Sequence, residues 1–234
     1  MRSVCGADGC KGGWIRVTRD LPTGSVSWNV CPTARDLVYS DPTPKIIAVD
    51  IPIGLRESGP RLCDLEARRL LGRGRASSIF PAPIRPLLTA ATREEACRIR
   101  LAIEGKRVTH QTWGIVPKVR EMDRLLRQDP SLQARIREVH PEVSFLFMAG
   151  RQPLPSNKKT AKGREERCRL LETYFGESVR IALAGRVKSA AAEDDVLDAF
   201  AALWTAERIA RGIAETLLPL PPTDRFGLRM EITI

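Results

Sequence analysis

Two stretches far apart in the chain each place an aspartate at the end of a run that reads as a β-strand. One is Val4-Cys5-Gly6-Ala7-Asp8-Gly9-Cys10; the other is Ile46-Ile47-Ala48-Val49-Asp50-Ile51-Pro52-Ile53-Gly54. The second run is apolar and β-branched, and Pro52 ends it, which is the pattern of a buried strand. A carboxylate inside such a run is costly unless it is paired or bound to a metal. A third acidic group, Asp194, Asp195 and Asp198, opens an alanine-rich helix near the C-terminus. Carboxylates at the tips of two strands and the start of a late helix are what a divalent-metal site for phosphate chemistry needs.

Each acid also has a plainer explanation. Asp8 beside Gly9 fits a turn aspartate. Asp50 fits a hydrogen-bonded carboxylate at a strand end. Asp194 and Asp195 fit N-terminal acidity that complements a helix dipole. Asp198 fits that pattern less well, because it lies in the second turn, beside small residues and three positions from Asp195.

The first fifty residues read as β, β, β, α, β. Ser3 to Ala7 is a short strand stopped at Gly9. Trp14 to Thr18 and Val26 to Val30 flank a Pro-Thr-Gly turn as hairpin strands. Thr33 caps a short helix to Tyr39, and Lys45 to Ile51 is the buried strand. From about 60 to 130 the pattern turns helical: Pro60 to Leu71 closed by Gly72, Thr92 to about Glu104 behind a capping box, and Pro117 to Gln128 with proline near its first position. Ser77 to Pro86, between the first two, reads as extended. Arg135 to Val139 is a fifth strand, and Pro141 to Ala149 a helix stopped by Gly150. Arg151 to Lys162 reads as a polar, mobile segment. Gly163 to Phe175 is helical, Glu177 to Ala184 is open between strand and helix, Asp194 to Gly212 is the strongest helix, and Gly227 to Ile234 reads as a terminal strand.

The length of 234 residues fits one domain, 1–234, with a helical insertion at about 60–130. No apolar run is long enough to cross a membrane, and the N-terminus has no signal-peptide core, so a cytoplasmic location is expected. The six cysteines are scattered singly, which argues against a zinc site or a disulfide framework. A net charge of +10 points to a polyanionic partner, nucleic acid first, although arginine-rich compositions also arise without one. The densest basic group is Lys158, Lys159, Lys162, Arg164 and Arg167.

Several chemistries are excluded. The glycines around Asp8 precede a second strand rather than a helix, so they are no dinucleotide fingerprint, and no Gly-Lys-Ser/Thr phosphate loop is present. There is no Gly-x-Ser-x-Gly hydrolase elbow. The single cysteines lack a neighbouring base. Glu138-Val-His-Pro-Glu142, at a strand-to-helix junction, offers Glu138 as a further metal ligand. His140 in the same segment either positions water or phosphate or caps the following helix. Glu142 reads as dipole stabilisation.

In this order the motifs resemble domain of unknown function 429, a family described as predicted nucleases of ribonuclease H-like fold. The matching residues are Gly6-Ala-Asp8-Gly9-Cys10 with Gly13-Trp14, Val49-Asp50-Ile-Pro-Ile-Gly54, Arg61-x-Cys63-Asp64, Gln111-x-Trp113 with Pro117-Lys118, Glu121-x-Asp123, Glu138-Val-His-Pro-Glu142 and Asp194-Asp195-Val-Leu-Asp198-Ala199. The resemblance implies an α/β fold with a mixed five-stranded sheet, three antiparallel strands then parallel ones, flanked by helices. It implies metal ligands at Asp8, Asp50, Asp194, Asp195 and Asp198. The first helix offers only Asp36 where many ribonucleases H carry a glutamate, a place that Glu138 is expected to fill. The implied activity is two-metal phosphodiester hydrolysis with Mg²⁺ or Mn²⁺, catalysed by Asp8, Asp50, Asp195, Asp198 and Glu138. Substrate contacts are expected from Lys118, Gln111, His140, Arg85 and the Lys158/Lys159 loop, and the protein is expected as a monomer or homodimer. The alternatives are a phosphotransferase or nucleotide hydrolase of actin-like or sugar-kinase type, and a non-catalytic module binding nucleic acid or protein.

Overall fold

A computed structural model describes residues 3–234, which form two compact units. The first comprises residues 3–50, 134–215 and 233–234; the second, 51–133 and 216–232.

The first unit is built on five strands: β1 (Ser3–Cys10), β2 (Gly13–Asp20), β3 (Val26–Cys31), β4 (Ile46–Asp50) and β5 (Ile136–Glu138). Their order is β3-β2-β1-β4-β5. β1, β2 and β3 run antiparallel, and β4 and β5 join parallel to β1. This is the mixed, open, helix-flanked sheet expected. A short helix α1 (Ala34–Val38) links β3 to β4. Thr33 caps it by accepting from the Asp36 amide, while Asp36 accepts in return from the Thr33 amide.

β1 is longer than expected. It runs through Asp8 and Gly9 to Cys10, and the turn falls at Lys11-Gly12, where Cys10 pairs with Gly13. Asp8 is therefore a strand residue, paired with Ile15 on one side and Asp50 on the other, not a turn aspartate.

Four helices complete this unit: α5 (Pro141–Met148), α6 (Ala161–Phe175), α7 (Ser178–Gly185) and α8 (Glu193–Ala210). The stretch open between strand and helix is thus helical; the sheet's strands already pair without it. α8 lies across β1, β4 and β2, with α5, α6 and α7 packed against it. Every residue from Val196 to Glu207 is buried, as befits a helix covered on all sides. Its alanines, and Gly6 in β1, permit a close approach. A Cβ at Gly6 would fall within 3.0 Å of the Leu203 nitrogen and the Ala199 carbonyl oxygen.

The second unit contains helices α2 (Leu62–Leu71), α3 (Arg93–Glu104) and α4 (His110–Gln128), joined by irregular chain with short 3-10 turns. The last begins seven residues before the expected start at Pro117. Thr109 caps it, accepting from the Thr112 amide at 3.1 Å, and Pro117 sits inside the helix. A core of Ile84, Leu87, Ala90, Ala96 and Val108 holds the unit. Buried ion pairs reinforce it. Arg61 binds both oxygens of Asp64, and Arg85 binds Asp123 at 2.8 Å and Asp224.

The expected strand at Gly227–Ile234 does not form as one element. The Asp224 carboxylate accepts from the Phe226 and Leu228 amides and turns the chain, and Thr223 and Arg229 form an isolated bridge. In the first unit, Thr233 donates to the Glu138 carbonyl, and Ile234 exchanges backbone bonds with Glu215. Among the described residues no helix is long and apolar enough to cross a membrane.

Candidate metal centre

The register of β1 and β4 sets the geometry. Val4, Gly6 and Asp8 pair with Ile46, Ala48 and Asp50, so both carboxylates leave the same end of the sheet on the same face. That face is the one α8 covers, since Val4, Ile46 and Ala48 share a core with Val196, Ala199 and Phe200. The close approach at Gly6 sets the helix so that Asp198, one residue before Ala199, reaches the strand-end pair. Carboxylate oxygens of Asp8, Asp50 and Asp198 lie within 4.8 Å of one another. Asp8 and Asp50 are half-buried and keep contact with solvent; Asp198 is 3% exposed.

The electrostatics match that crowding. Burial, followed by the charges of Asp50, Asp198 and Asp195, raises the Asp8 pKa well above the ordinary carboxylate value, against the opposing pull of Lys158. Burial and Asp198 push Asp50 up to about 8, again opposed by Lys158, with Glu138 and Glu142 adding to the rise. Burial also raises Asp198, although Lys158 pulls it down. Two charges about 4 Å apart repel by about 4 kcal/mol at an effective dielectric constant of about 20. Three ionised carboxylates therefore need cations among them.

One cation belongs to the chain. Lys158 Nζ donates to Asp198 Oδ2 at 2.6 Å. Burial alone would lower the lysine pKa, but Asp198, Asp50 and Asp8 outweigh it and hold the ammonium charged. The other oxygen, Asp198 Oδ1, is buried with no hydrogen-bond partner. An orphaned buried carboxylate oxygen is costly, and beside two more carboxylates it suits a hard divalent cation such as Mg²⁺ or Mn²⁺.

The segment bearing Lys158 is not loose. Ser156 donates twice to Glu166, Thr160 caps α6 by accepting from the Gly163 amide, and Thr160 donates twice to the Asn157 carbonyl. A Cβ at Gly163 would overlap that same Asn157 carbonyl. Arg167, 1% exposed, donates to the Ser156 and Gly163 carbonyls and forms a two-pronged pair with Glu142. Glu142 thus holds a buried guanidinium as well as standing in the first turn of α5. Arg167→Ala leaves that carboxylate unpaired and buried, so a loss of about 3–5 kcal/mol is expected in chemical denaturation.

None of the other expected acids is a member of that trio. Glu138 pairs in register with Val49, hence on the sheet face away from α8, and does not join the cluster. Asp195 caps its own helix, accepting from the Ala192 amide at 2.8 Å, and Asp194 lies in the same first turn; the charge of Asp195 helps to raise the Asp8 pKa and that of Asp194 the Asp198 pKa. His140 occupies the N-cap position of α5 without a capping side-chain bond. Gln111 and Lys118 lie on the Thr109-capped helix of the second unit, and the buried Arg85 guanidinium is committed to Asp123 and Asp224. Within the basic group, Arg164 pairs with Glu193 at 2.9 Å, and Lys159 and Lys162 are exposed.

The sequence reading makes Lys158 a contact for substrate backbone and Arg167 only one member of the basic group. The helpful signal was local: Ser156-Asn157 and Thr160 are turn and capping residues, the mark of an ordered approach to a helix.

No curated protein and no solved structure matches this chain. A family model does match, over residues 6–223, which contain all three clustered aspartates and Lys158, and the chain belongs to that family, described as protein of unknown function (DUF429).

Proposed function

We propose that this protein is a divalent-metal-dependent phosphodiester hydrolase, a nuclease of ribonuclease H-like type. The observation that carries the proposal is the convergence of Asp8, Asp50 and Asp198 within 4.8 Å, with one oxygen of Asp198 buried and unsatisfied. Bound Mg²⁺ or Mn²⁺ supplies Lewis-acid stabilisation of phosphate charge and an acidified water. Asp8 and Asp50, fixed side by side by strand register, form the rigid part of the ligand set, and Asp198 closes it from α8. Their partial solvent exposure leaves room for a substrate to reach them, while α8 shields the rear of the site. An excess of 38 lysine and arginine over 28 acidic residues favours a polyanionic substrate and a binding constant that falls with salt.

The test is incubation with Mg²⁺ or Mn²⁺ and a panel of single-stranded, duplex and branched DNA and RNA. Cleavage that needs the metal and disappears in Asp8→Asn is expected. No cleavage of any member, or equal cleavage by Asp8→Asn, sinks the proposal. Stabilisation by ATP without cleavage of nucleic acid would favour the phosphotransferase alternative instead.

A further inference from the structure

The carboxylate trio carries three negative charges when ionised, and the chain itself supplies one positive charge to it. Lys158 is not a surface lysine that happens to swing near an acid. Its side chain is 29% exposed, its Nζ sits 2.6 Å from Asp198 Oδ2, and the residues on both sides of it are tied down by Glu166, Arg167 and Thr160. Arg167 is itself fixed by Glu142. Four side chains of the first unit thus serve to hold one ammonium at the acidic cluster.

The two oxygens of Asp198 are used differently. Oδ2 is committed to the ammonium, and Oδ1 has no partner. Oδ1 is therefore the oxygen that a metal ion can take without disturbing the ammonium. Within the trio alone, one divalent ion and one ammonium balance the three carboxylates.

We propose that this centre takes a single divalent ion, with the Lys158 ammonium as its built-in second cation, placed to contact a non-bridging oxygen of the substrate phosphate. This rests on the hydrolase reading and replaces its two-ion form. In the reaction a water oxygen forms a bond to phosphorus, and the ester P–O bond breaks with its electron pair on the departing oxygen. That oxygen gains a proton from solvent, one proton of the attacking water passes to solvent, and its other proton stays on the new phosphate oxygen. Lys158 keeps its protons throughout and acts through charge and hydrogen bonding. A lysine does this as a compact point charge that needs no metal to be recruited.

Counting bound Mn²⁺ by calorimetric titration and by electron paramagnetic resonance tests the proposal without any substrate. Wild type should bind one Mn²⁺. Lys158→Met should bind Mn²⁺ at least tenfold more tightly, or bind two ions, because the trio loses its internal counter-charge. Lys158→Arg keeps the charge, should keep a stoichiometry of one, and covers the case in which Lys158→Met fails to fold. Two ions in wild type, none in wild type, or a methionine variant with unchanged stoichiometry and affinity would overturn the proposal. One ion in wild type with the expected change in Lys158→Met, but no cleavage of any nucleic acid, would uphold the cation assignment and remove the hydrolase reading alone. Where cleavage is found, Lys158→Met should lower it at least 100-fold and Lys158→Arg should restore part of it.

Discussion

Asp50→Asn is expected to abolish metal-dependent cleavage and, in the same protein, to raise the melting temperature of the metal-free form at pH 8. The two effects have one cause. Asp50 is held among carboxylates, and its pKa stands at about 8, because burial and Asp198 disfavour its charge more than Lys158 favours it. In the unfolded chain the same group titrates near its ordinary value of 3.8. The folded state therefore binds the proton more tightly. Stability from this group is full below about pH 4, declines as pH rises toward 8, and is level above that. Asparagine does not titrate, so the variant escapes the loss.

The difference in melting temperature, variant minus wild type, should thus be near zero at pH 4 and grow through pH 8. Asp50 keeps some solvent contact, so screening retains only part of the penalty. A residual of about 1–2 kcal/mol corresponds to roughly 2–8 °C for a chain of this size. Saturating Mn²⁺ should reverse the order, stabilising wild type and leaving Asp50→Asn unmoved. Thermal scans across pH 4–9, with and without Mn²⁺, decide the matter. A variant no more stable than wild type at pH 8 without metal, or one that still cleaves, contradicts the expectation.

How much of this was legible beforehand depended on whether the cause was local. The strands containing Asp8 and Asp50 were readable because apolar, β-branched runs state their own conformation, and Thr33 and Thr92 announced the helices they cap. The start at Thr109 was missed because Pro117 is a stronger surface signal than one threonine, even though an exposed proline within a helix is tolerated when the remaining turns are satisfied. Asp8, Asp50 and Asp198 were readable as acids near one another because two lie on strand ends and one on a small-residue helix face. Glu138 falls outside the trio by parity. It lies in β5, yet its partner in register is Val49 rather than Asp50, and a one-residue step on a strand reverses the face. Lys158 was invisible in its role because the contact with Asp198 spans 40 positions, and nothing in Ser156 to Lys162 names its partner. Long-range electrostatic pairing leaves no periodic trace in the residues that make it.

The same reasoning gives the second large effect to Gly6, a residue with no side chain and no part in chemistry. Gly6→Ala should destabilise the protein by about 4 kcal/mol or more, or prevent soluble folding. An alanine Cβ there would lie within 3.0 Å of the Leu203 nitrogen, the Leu203 Cα and the Ala199 oxygen, all of them backbone. No side chain can rotate away, so the whole of α8 must retreat from β1. That helix is buried from Val196 to Glu207 and contacts β1, β2 and β4 as well as three helices, so the retreat opens packing along its length. Overpacking a core site typically costs about 1–3 kcal/mol where side chains can yield, and more is expected where they cannot. The displacement also draws Asp198 away from Asp8 and Asp50. Any folded fraction of Gly6→Ala should therefore bind Mn²⁺ weakly, a loss that a remote destabilising change would not produce. Gly114→Ala is the matching control. It lies in the Thr109-capped helix with nothing within 4 Å of the added Cβ, and should stabilise by about 0.5–1 kcal/mol through helix propensity. A Gly6→Ala protein that melts within a few degrees of wild type and binds Mn²⁺ equally well would show that the approach of α8 to β1 does not set the acidic site.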